Sequence, residues 1–278
     1  MVFDPESAKG CMMSDYSAPI GAPIWFDLMS SEPDKAAEFY GDIFGWEAEE
    51  PDAEFGGYRN FVKNGKRIAG CGPVMDPNGP SDVWSVYLHT ADPAATVTAV
   101  EKAGGSMMVP PMDVGEMGTM MVATDPAGAV IGWWKPGTHP GFLEWGTHGT
   151  PYWFECQSKD YAKSVAFYTE VLGARIEEVG TGGDPDAVGP DHYGQVFLGE
   201  SSYSGIMDAA KLFPAEVPSF WQVYVTVDDV AATVKHVEAL GGGVMMAGEE
   251  TPYGTLAAVT DPFGAVFCLG HPPAGWEG

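Results

Sequence analysis

Basic residues are what this sequence most lacks. Thirteen lysines and arginines stand against 39 aspartates and glutamates, a formal net charge of −26 over 278 residues. A surface of that sign repels phosphate backbones and anionic lipid headgroups, so neither nucleic acid nor membranes are expected partners. Cysteine is scarce as well. Cys11, Cys71, Cys156 and Cys268 lie far apart and form no CxxC pair, and a chain this long folds without covalent staples, so they read as free thiols. No stretch approaches the roughly 20 apolar residues of a membrane-spanning helix. The N-terminal MVFDPESAKGCMMSDYSAPIGAP carries neither a basic leader nor an apolar run, and the expected location is the cytoplasm. The histidines, His89, His139, His148, His192, His236 and His271, show no close spacing; such isolated histidines are more often surface or core residues than ligands.

What the sequence does contain is itself, twice. Ile24-Trp-Phe-Asp-Leu followed by DKAAEFYGDIFGW (Asp34 to Trp46) returns as Tyr152-Trp-Phe-Glu-Cys followed by YAKSVAFYTEVLGA (Tyr161 to Ala174). Trp25 matches Trp153, Phe26 matches Phe154, Asp27 matches Glu155, and Phe39-Tyr40 matches Phe167-Tyr168. With 45% hydrophobic content, a tandem duplication of this size supports two domains of about 120 residues each.

Periodicity assigns the elements. Ile24 to Met29 alternates as a strand, with Phe26 and Leu28 on one face and Trp25, Asp27 and Met29 on the other. Ser31-Glu-Pro33-Asp34 starts a helix with a hydroxyl cap, an early proline and acids in the first turn. Ala36, Phe39, Tyr40, Ile43 and Phe44 then form one apolar stripe that stops at Gly45. Two β-type runs from Tyr58 to Val74 flank Asn64-Gly65, a tight-hairpin dipeptide. Val83 to Thr90 is a further strand, Asp92-Pro-Ala-Ala opens a second helix closed at Gly104-Gly105, and strands over 106–110, 117–124 and 129–135 finish the unit around the turn Asp125-Pro-Ala-Gly128. The order is strand, helix, three strands, performed twice per module.

The second module repeats it: the Trp221 strand matches the Trp84 strand, Gly241-Gly242 closes its helix, and Asp261-Pro-Phe-Gly264 matches the Asp125 turn. The expected division is an N-terminal extension (1–21), a first module (22–136), a glycine- and proline-rich linker (137–150) and a second module (151–273). An acidic, glycine-rich loop at 180–191 is either a lid or a tolerated insertion.

An opening strand, a helix ending FY-x3-[LF]-G, a strand-Asp-helix segment closing on Gly-Gly, and a DP-x-G turn, all present twice, resemble the vicinal oxygen chelate superfamily of glyoxalases, bleomycin-resistance proteins and extradiol dioxygenases. Within it the likeness is to tandem glyoxalase-like proteins of actinobacteria. The resemblance covers about Ala22 to Pro272 and implies an α+β fold of paired βαβββ units, their mixed sheets cupped around a ligand with helices outside. Tandem modules complete within one chain the cup that single modules make by dimerising, which leaves monomer and homodimer both open. Metal-binding members carry His, Gln or Glu at positions that here hold Trp25, Ser85 and Gly132, and Trp153, Gln222 and Cys268. One neutral amide does not hold a divalent ion, so no metal and no cofactor are expected.

Alternation points Trp25, Asp27, Ser85, Tyr87 and His89 into one cup, and Trp153, Glu155, Gln157, Gln222, Tyr224 and Thr226 into the other. The aromatic walls suit a planar hydrophobic ligand, or simply fill the space of a lost metal site. A carboxylate beside tryptophan in an apolar cup has its pKa raised by desolvation, as a general acid or base near neutrality requires. Asp27 and Glu155 are the candidate catalytic residues; Trp25, Trp153, Tyr87, Tyr224, His89 and Gln222 are the candidate substrate-binding residues. Two functions follow: a metal-independent enzyme of secondary metabolism acting on a hydrophobic, aromatic small molecule by proton transfer, hydroxylase- or isomerase/lyase-like, or a non-catalytic binder that sequesters a compound in the manner of drug-resistance proteins. A divalent-metal lyase of glyoxalase type is a third reading and requires ligands from elsewhere in the chain.

Overall fold

The computed structural model describes residues 16–74, 81–179 and 189–271. The acidic loop expected at 180–191 falls outside them as far as residue 188, as does Cys11; its end is already strand, with Gly189 paired to Asp208.

The first module runs β1 (Pro23–Ser30), α1 (Pro33–Phe44), β2 (Glu47–Ala48), β3 (Arg59–Lys63) and β4 (Lys66–Pro73), then β5 (Val83–His89), α2 (Pro93–Lys102), β6 (Ser106–Val114), β7 (Gly118–Thr124) and β8 (Val130–Pro136). The second runs β9 (Pro151–Ser158), α3 (Tyr161–Leu172), β10 (Arg175–Val179), β11 (Gly189–Leu198) and β12 (Ser201–Asp208), then β13 (Phe220–Thr226), α4 (Val230–Ala239), β14 (Gly243–Thr251), β15 (Gly254–Thr260) and β16 (Val266–His271). Each module forms one eight-stranded mixed sheet, ordered β2-β3-β4-β1-β5-β8-β7-β6 and β10-β11-β12-β9-β13-β16-β15-β14. The α+β architecture of paired βαβββ units is the one the repeat implied. The opening strands of the two units pair antiparallel at the centre of each sheet, Asp27 opposite Ser85 and Glu155 opposite Gln222.

Local chemistry explains most of the boundaries. Asn64 and Gly65 both take positive φ, 53° and 76°, the two-residue turn whose twist matches its strands. Helices α1 and α3 stop at Gly45 and Gly173, both left-handed, a conformation that costs glycine little. Asp92, Asp160 and Asp229 cap α2, α3 and α4 through backbone N–H groups of the first turn. The hydroxyl cap expected on α1 is absent: Glu32 occupies the cap without a side-chain bond, and Ser31 instead donates to Asp82 at 3.0 Å. Asp82 accepts from Ser30 and the Ser31 backbone as well, so this hydroxyl joins β1 to the start of β5.

One face of each sheet meets the helices, and there the two modules lock together. Phe26, Leu28, Trp84 and Phe154 are buried on this side, with Phe26 and Phe154 in edge contact at 5.8 Å. Tyr40 of α1 receives the Trp84 indole N–H at 3.1 Å and donates to Asp261 of the other module at 3.1 Å. Symmetrically, Trp221 donates to Tyr168 of α3 at 2.7 Å, and Asp125 of the first module accepts from Tyr168 and from Ser164. Both aspartates also accept from their own turns, Asp125 from the Ala127 and Ala129 N–H groups and Asp261 from those of Phe263 and Ala265. The FY pair of one module and the DP-x-G turn of the other are thus two halves of one contact.

The aperiodic stretch 137–150 is no solvated tether. Phe142 and Trp145 are fully buried; Phe142 stacks on Phe154 and on Tyr16, which in turn stacks on Trp145. It has no periodicity because it threads the core as irregular chain, where glycines admit backbone and single aromatics fill gaps.

Candidate functional site

The opposite, concave faces carry the acids. Asp27 stands mid-strand on β1, 6% exposed. Tyr58, just before β3, donates its hydroxyl to Asp27 Oδ2 at 3.3 Å, and the Trp25 indole N–H donates to that same hydroxyl at 2.8 Å. Tyr87 of β5 lies opposite Trp25, its ring over Gly132 of β8. Glycine is required at two places here: a methyl at Gly70 would collide with the Tyr58 hydroxyl, and one at Gly132 with the Tyr87 ring. Met29, Ser85, Met120 and Val122 complete the wall half-exposed.

The second cup has the same frame. Glu155 on β9 is 4% exposed. Trp153 donates to the Tyr193 hydroxyl at 2.8 Å, Tyr193 lies against Gly205 as Tyr58 does against Gly70, and Tyr224 sits opposite Trp153. Tyr152, Tyr224 and Cys268, with Trp153, Leu256 and Ala258, form a small apolar cluster separate from the main core.

The carboxylates are nevertheless held differently. Glu155 Oε1 accepts from Tyr224 at 2.9 Å, Gln222 at 3.0 Å and Gln157 at 2.5 Å, while Gln222 also donates to Tyr224. At the places of Gln222 and Gln157 the first cup has Ser85 and Met29. Asp27 therefore has fewer donors, and its Oδ1, shielded from solvent, meets no hydrogen-bond partner among the described residues. Burial pushes both acids up to about 7, Asp27 from 3.8 and Glu155 from 4.5; nearby hydroxyls pull back, those of Tyr58 and Tyr87 on Asp27, those of Tyr224 and Tyr193 together with the Gln222 amide on Glu155. The same burial raises Tyr58, Tyr87, Tyr193 and Tyr224, which stay protonated as donors.

The structure gathers Asp27, Trp25 and Tyr87 in one cup and Glu155, Trp153, Tyr224 and Gln222 in the other. His89 does not join them, because its Nδ1–H donates to the Ala18 carbonyl at 2.8 Å. Three residues escaped the sequence reading. Tyr58 and Tyr193 repeat at matching places in the two modules, each beside the glycine of a neighbouring strand, and that repeat was the available signal. His139 gave none, lying in the aperiodic stretch; it is 6% exposed and stands edge-on to Trp25 at 4.4 Å. Its Nδ1 accepts from the Gly141 N–H, and burial together with Arg67 lowers its pKa to about 4, so it is a neutral Nε2–H tautomer near pH 7.

The donors at the implied ligand positions do not fit a divalent cation. Trp25 offers no lone pair in its ring plane, the Gly132 place is filled by the Tyr87 ring, and burial pushes the Cys268 thiol up, away from the thiolate a metal binds. No group of three or more His, Cys, Asp or Glu side chains comes together among the described residues. Cys71, Cys156 and Cys268 are free and buried, and no described helix is long and apolar enough to cross a membrane. A separate open groove of about 880 Å³ along α1 contains neither cup acid; it is lined by acids including Asp34, Glu38 and Asp42, and its Arg59 is paired with Asp34 at 2.5 Å.

Comparison with known proteins agrees with this architecture. The chain is 34% identical over 275 residues to the anthracycline biosynthesis protein DnrV of Streptomyces peucetius, covering 91% of this chain and 96% of that protein. It is 32% identical over 257 residues to the putative glyoxylase CFP32 of Mycobacterium bovis, with 91% and 95% coverage. Among solved structures, the 2,3-dioxygenase LapB from Pseudomonas sp. KL28 superposes with a TM-score of 0.63 at 15% identity, covering 93% of this chain and 96% of that one. A family model matches residues 23–132 and again 152–269, and the chain belongs to the glyoxalase/bleomycin resistance protein/dioxygenase superfamily.

Proposed function

We propose that this protein binds a planar, hydrophobic aromatic metabolite in its cups and moves a proton on it, using a buried carboxylate rather than a metal as the reactive group. The observation that carries the reading is Asp27: a carboxyl pushed to about 7, walled by Trp25 and Tyr87, with one oxygen held and the other unpartnered. A base of that pKa is half ionised at neutrality, where general-base catalysis is most effective. In the proposed step the carboxylate takes a proton from an acidic C–H or O–H of the ligand. The electron pair of that bond stays on the ligand, spread over its aromatic system, and returning the proton at another position completes an isomerisation. Glu155 in the second cup, with three donors of its own chain on one oxygen, takes no part in this step. Support for the substrate class comes from the aromatic walls, and from the likeness to a protein named for anthracycline biosynthesis, whose chemistry concerns planar polycyclic aromatics.

Anthrone, a planar ketone with an exchangeable methylene, tests the reading. Binding is followed by quenching of tryptophan fluorescence, and turnover by NMR of methylene exchange in deuterated water. Accelerated exchange that falls in Asp27→Asn while affinity is kept supports the enzyme. Binding without accelerated exchange in the wild type overturns it and leaves the sequestering protein, whose walls the Trp25–Tyr58 and Trp153–Tyr193 hydrogen bonds already hold rigid.

A further inference from the structure

We infer that the two cups do different work: the first recognises a neutral hydroxyl on the planar ligand through Asp27 Oδ1, whereas Glu155 in the second is a hydrogen-bond hub that shapes an apolar wall. This rests on the ligand class proposed above and adds which cup reads the ligand's polar group and by what chemistry.

The argument begins with the cost of a bare oxygen. A buried carboxylate oxygen without a donor is more costly than an unpaired neutral acceptor, and such a group in a native fold calls for an explanation. Asp27 Oδ1 is in that position among the described residues, on a residue 6% exposed: the Tyr87 hydroxyl acts on the carboxyl but does not reach hydrogen-bond geometry at this oxygen. In the second cup the fully buried acceptors without a partner among the described residues are Gln157 Oε1 and Thr226 Oγ1, both neutral, while Glu155 gathers three donors from its own chain on Oε1 and has no fully buried bare oxygen. The difference has a local origin, since Ser85 stands opposite Asp27 where Gln222 stands opposite Glu155. A donor on the ligand completes at Oδ1 what Tyr58 does at Oδ2. A hydroxyl suits the place better than a cation, because an ammonium gives up far more hydration on entering a dry cup. Aromatic surfaces flank the acid: Trp25 is fixed by its bond to Tyr58 and by the edge contact of His139, and Tyr87 by its seat over Gly132. A flat ring held by these walls can present a hydroxyl in its plane to the strand floor.

Two probes of equal shape separate the possibilities: 2-hydroxyanthraquinone, which donates, and 2-methoxyanthraquinone, which does not. On wild-type protein, quenching of tryptophan fluorescence shows the hydroxyl probe binding about tenfold or more tighter, as a charge-assisted hydrogen bond confers. Its visible absorbance shifts to the red on binding, as the O–H is polarised by the carboxylate. Asp27→Asn turns an N–H toward the ligand, brings the affinity ratio to one or below and abolishes the red shift; Glu155→Gln keeps both. Equal affinities for the two probes on wild type, or a ratio lost in Glu155→Gln and kept in Asp27→Asn, overturns the inference while the aromatic ligand class stands. Failure of both probes to quench overturns the ligand class and the inference with it. The wild-type comparison needs no variant, so it decides even where a substitution disturbs folding.

Discussion

The Asp27 cup and the Glu155 cup share a frame and differ in what meets the acid. Trp25, Tyr58, Gly70 and Tyr87 have their counterparts in Trp153, Tyr193, Gly205 and Tyr224, and both carboxyls are raised to about 7 chiefly by burial. Met29 and Ser85, however, stand where the second cup has Gln157 and Gln222. Two amides add donors to one carboxylate oxygen, Glu155 Oε1, that the first cup does not supply to Asp27. What a duplicated scaffold needs in order to fold is therefore repeated, and what sets the hydrogen bonding of each acid lies in two neighbouring side chains.

The sharpest way to break the comparison is turnover. Under the proposed mechanism Asp27→Asn lowers anthrone exchange by on the order of 10²–10⁴-fold, the usual worth of a general base, while Glu155→Gln lowers it by less than about tenfold; equal losses in the NMR assay would make the cups equivalent. Stability reverses the ranking. Glu155→Ala strands the Tyr224 hydroxyl and two amide groups and costs about 2–4 kcal/mol in urea unfolding, whereas Asp27→Ala removes an under-satisfied charge and costs about 1 kcal/mol or less.

The pH dependence follows from the same burial. Each acid binds its proton more tightly folded than unfolded, so stability is fully present below the unfolded pKa, near 4, and is lost as pH rises through the folded value near 7. For Asp27 the loss is at most about 4 kcal/mol. Asp27→Asn removes that share, and its Tm gains on wild type above pH 7 but not at pH 4. The catalytic profile has the opposite sense, since the base form, facing the protonated Tyr58 and Tyr87 hydroxyls, accumulates as pH rises through 7.

Converting one cup toward the other sharpens the contrast further. Met29→Gln with Ser85→Gln supplies the missing amides to Asp27, lowers its pKa and slows exchange at pH 7 several-fold, read as an acid-shifted pH–rate profile. The smallest expected effect is at the seam between modules: Tyr40→Phe and Tyr168→Phe each lose one buried hydrogen bond across it, about 1 kcal/mol by thermal unfolding, and nearly equally because the seam is symmetric.

Much of this was legible before any coordinates. The repeat, strand alternation and glycine-terminated helices located the sheets; alternation put Asp27 with Trp25 and Glu155 with Trp153 on one face, and the fold implied by the family resemblance made that face the concave one. The hydroxyl cap expected at Ser31 was misplaced, because the competing partner, Asp82, is distant in sequence. Tyr58 was hidden because it sits just before β3, where alternation carries little weight, and Tyr193 because it lies in β11 behind the extra residues that shift the repeat. His139 was hidden because irregular chain has no period to read.

Residue order and pattern by themselves determined the duplicated α+β scaffold, its acidic surface and the identity of the two cup acids, because these depend on spacing and charge within short stretches. Only the tertiary structure decided that Tyr40 answers Asp261 across the module seam, that Phe142 and Trp145 belong to the core, and that Asp27 keeps one buried oxygen without a donor while three donors converge on one oxygen of Glu155. Those outcomes depend on which donors converge from strands far apart in the chain, and hydrogen-bond satisfaction is a property of the assembled neighbourhood, not of any segment.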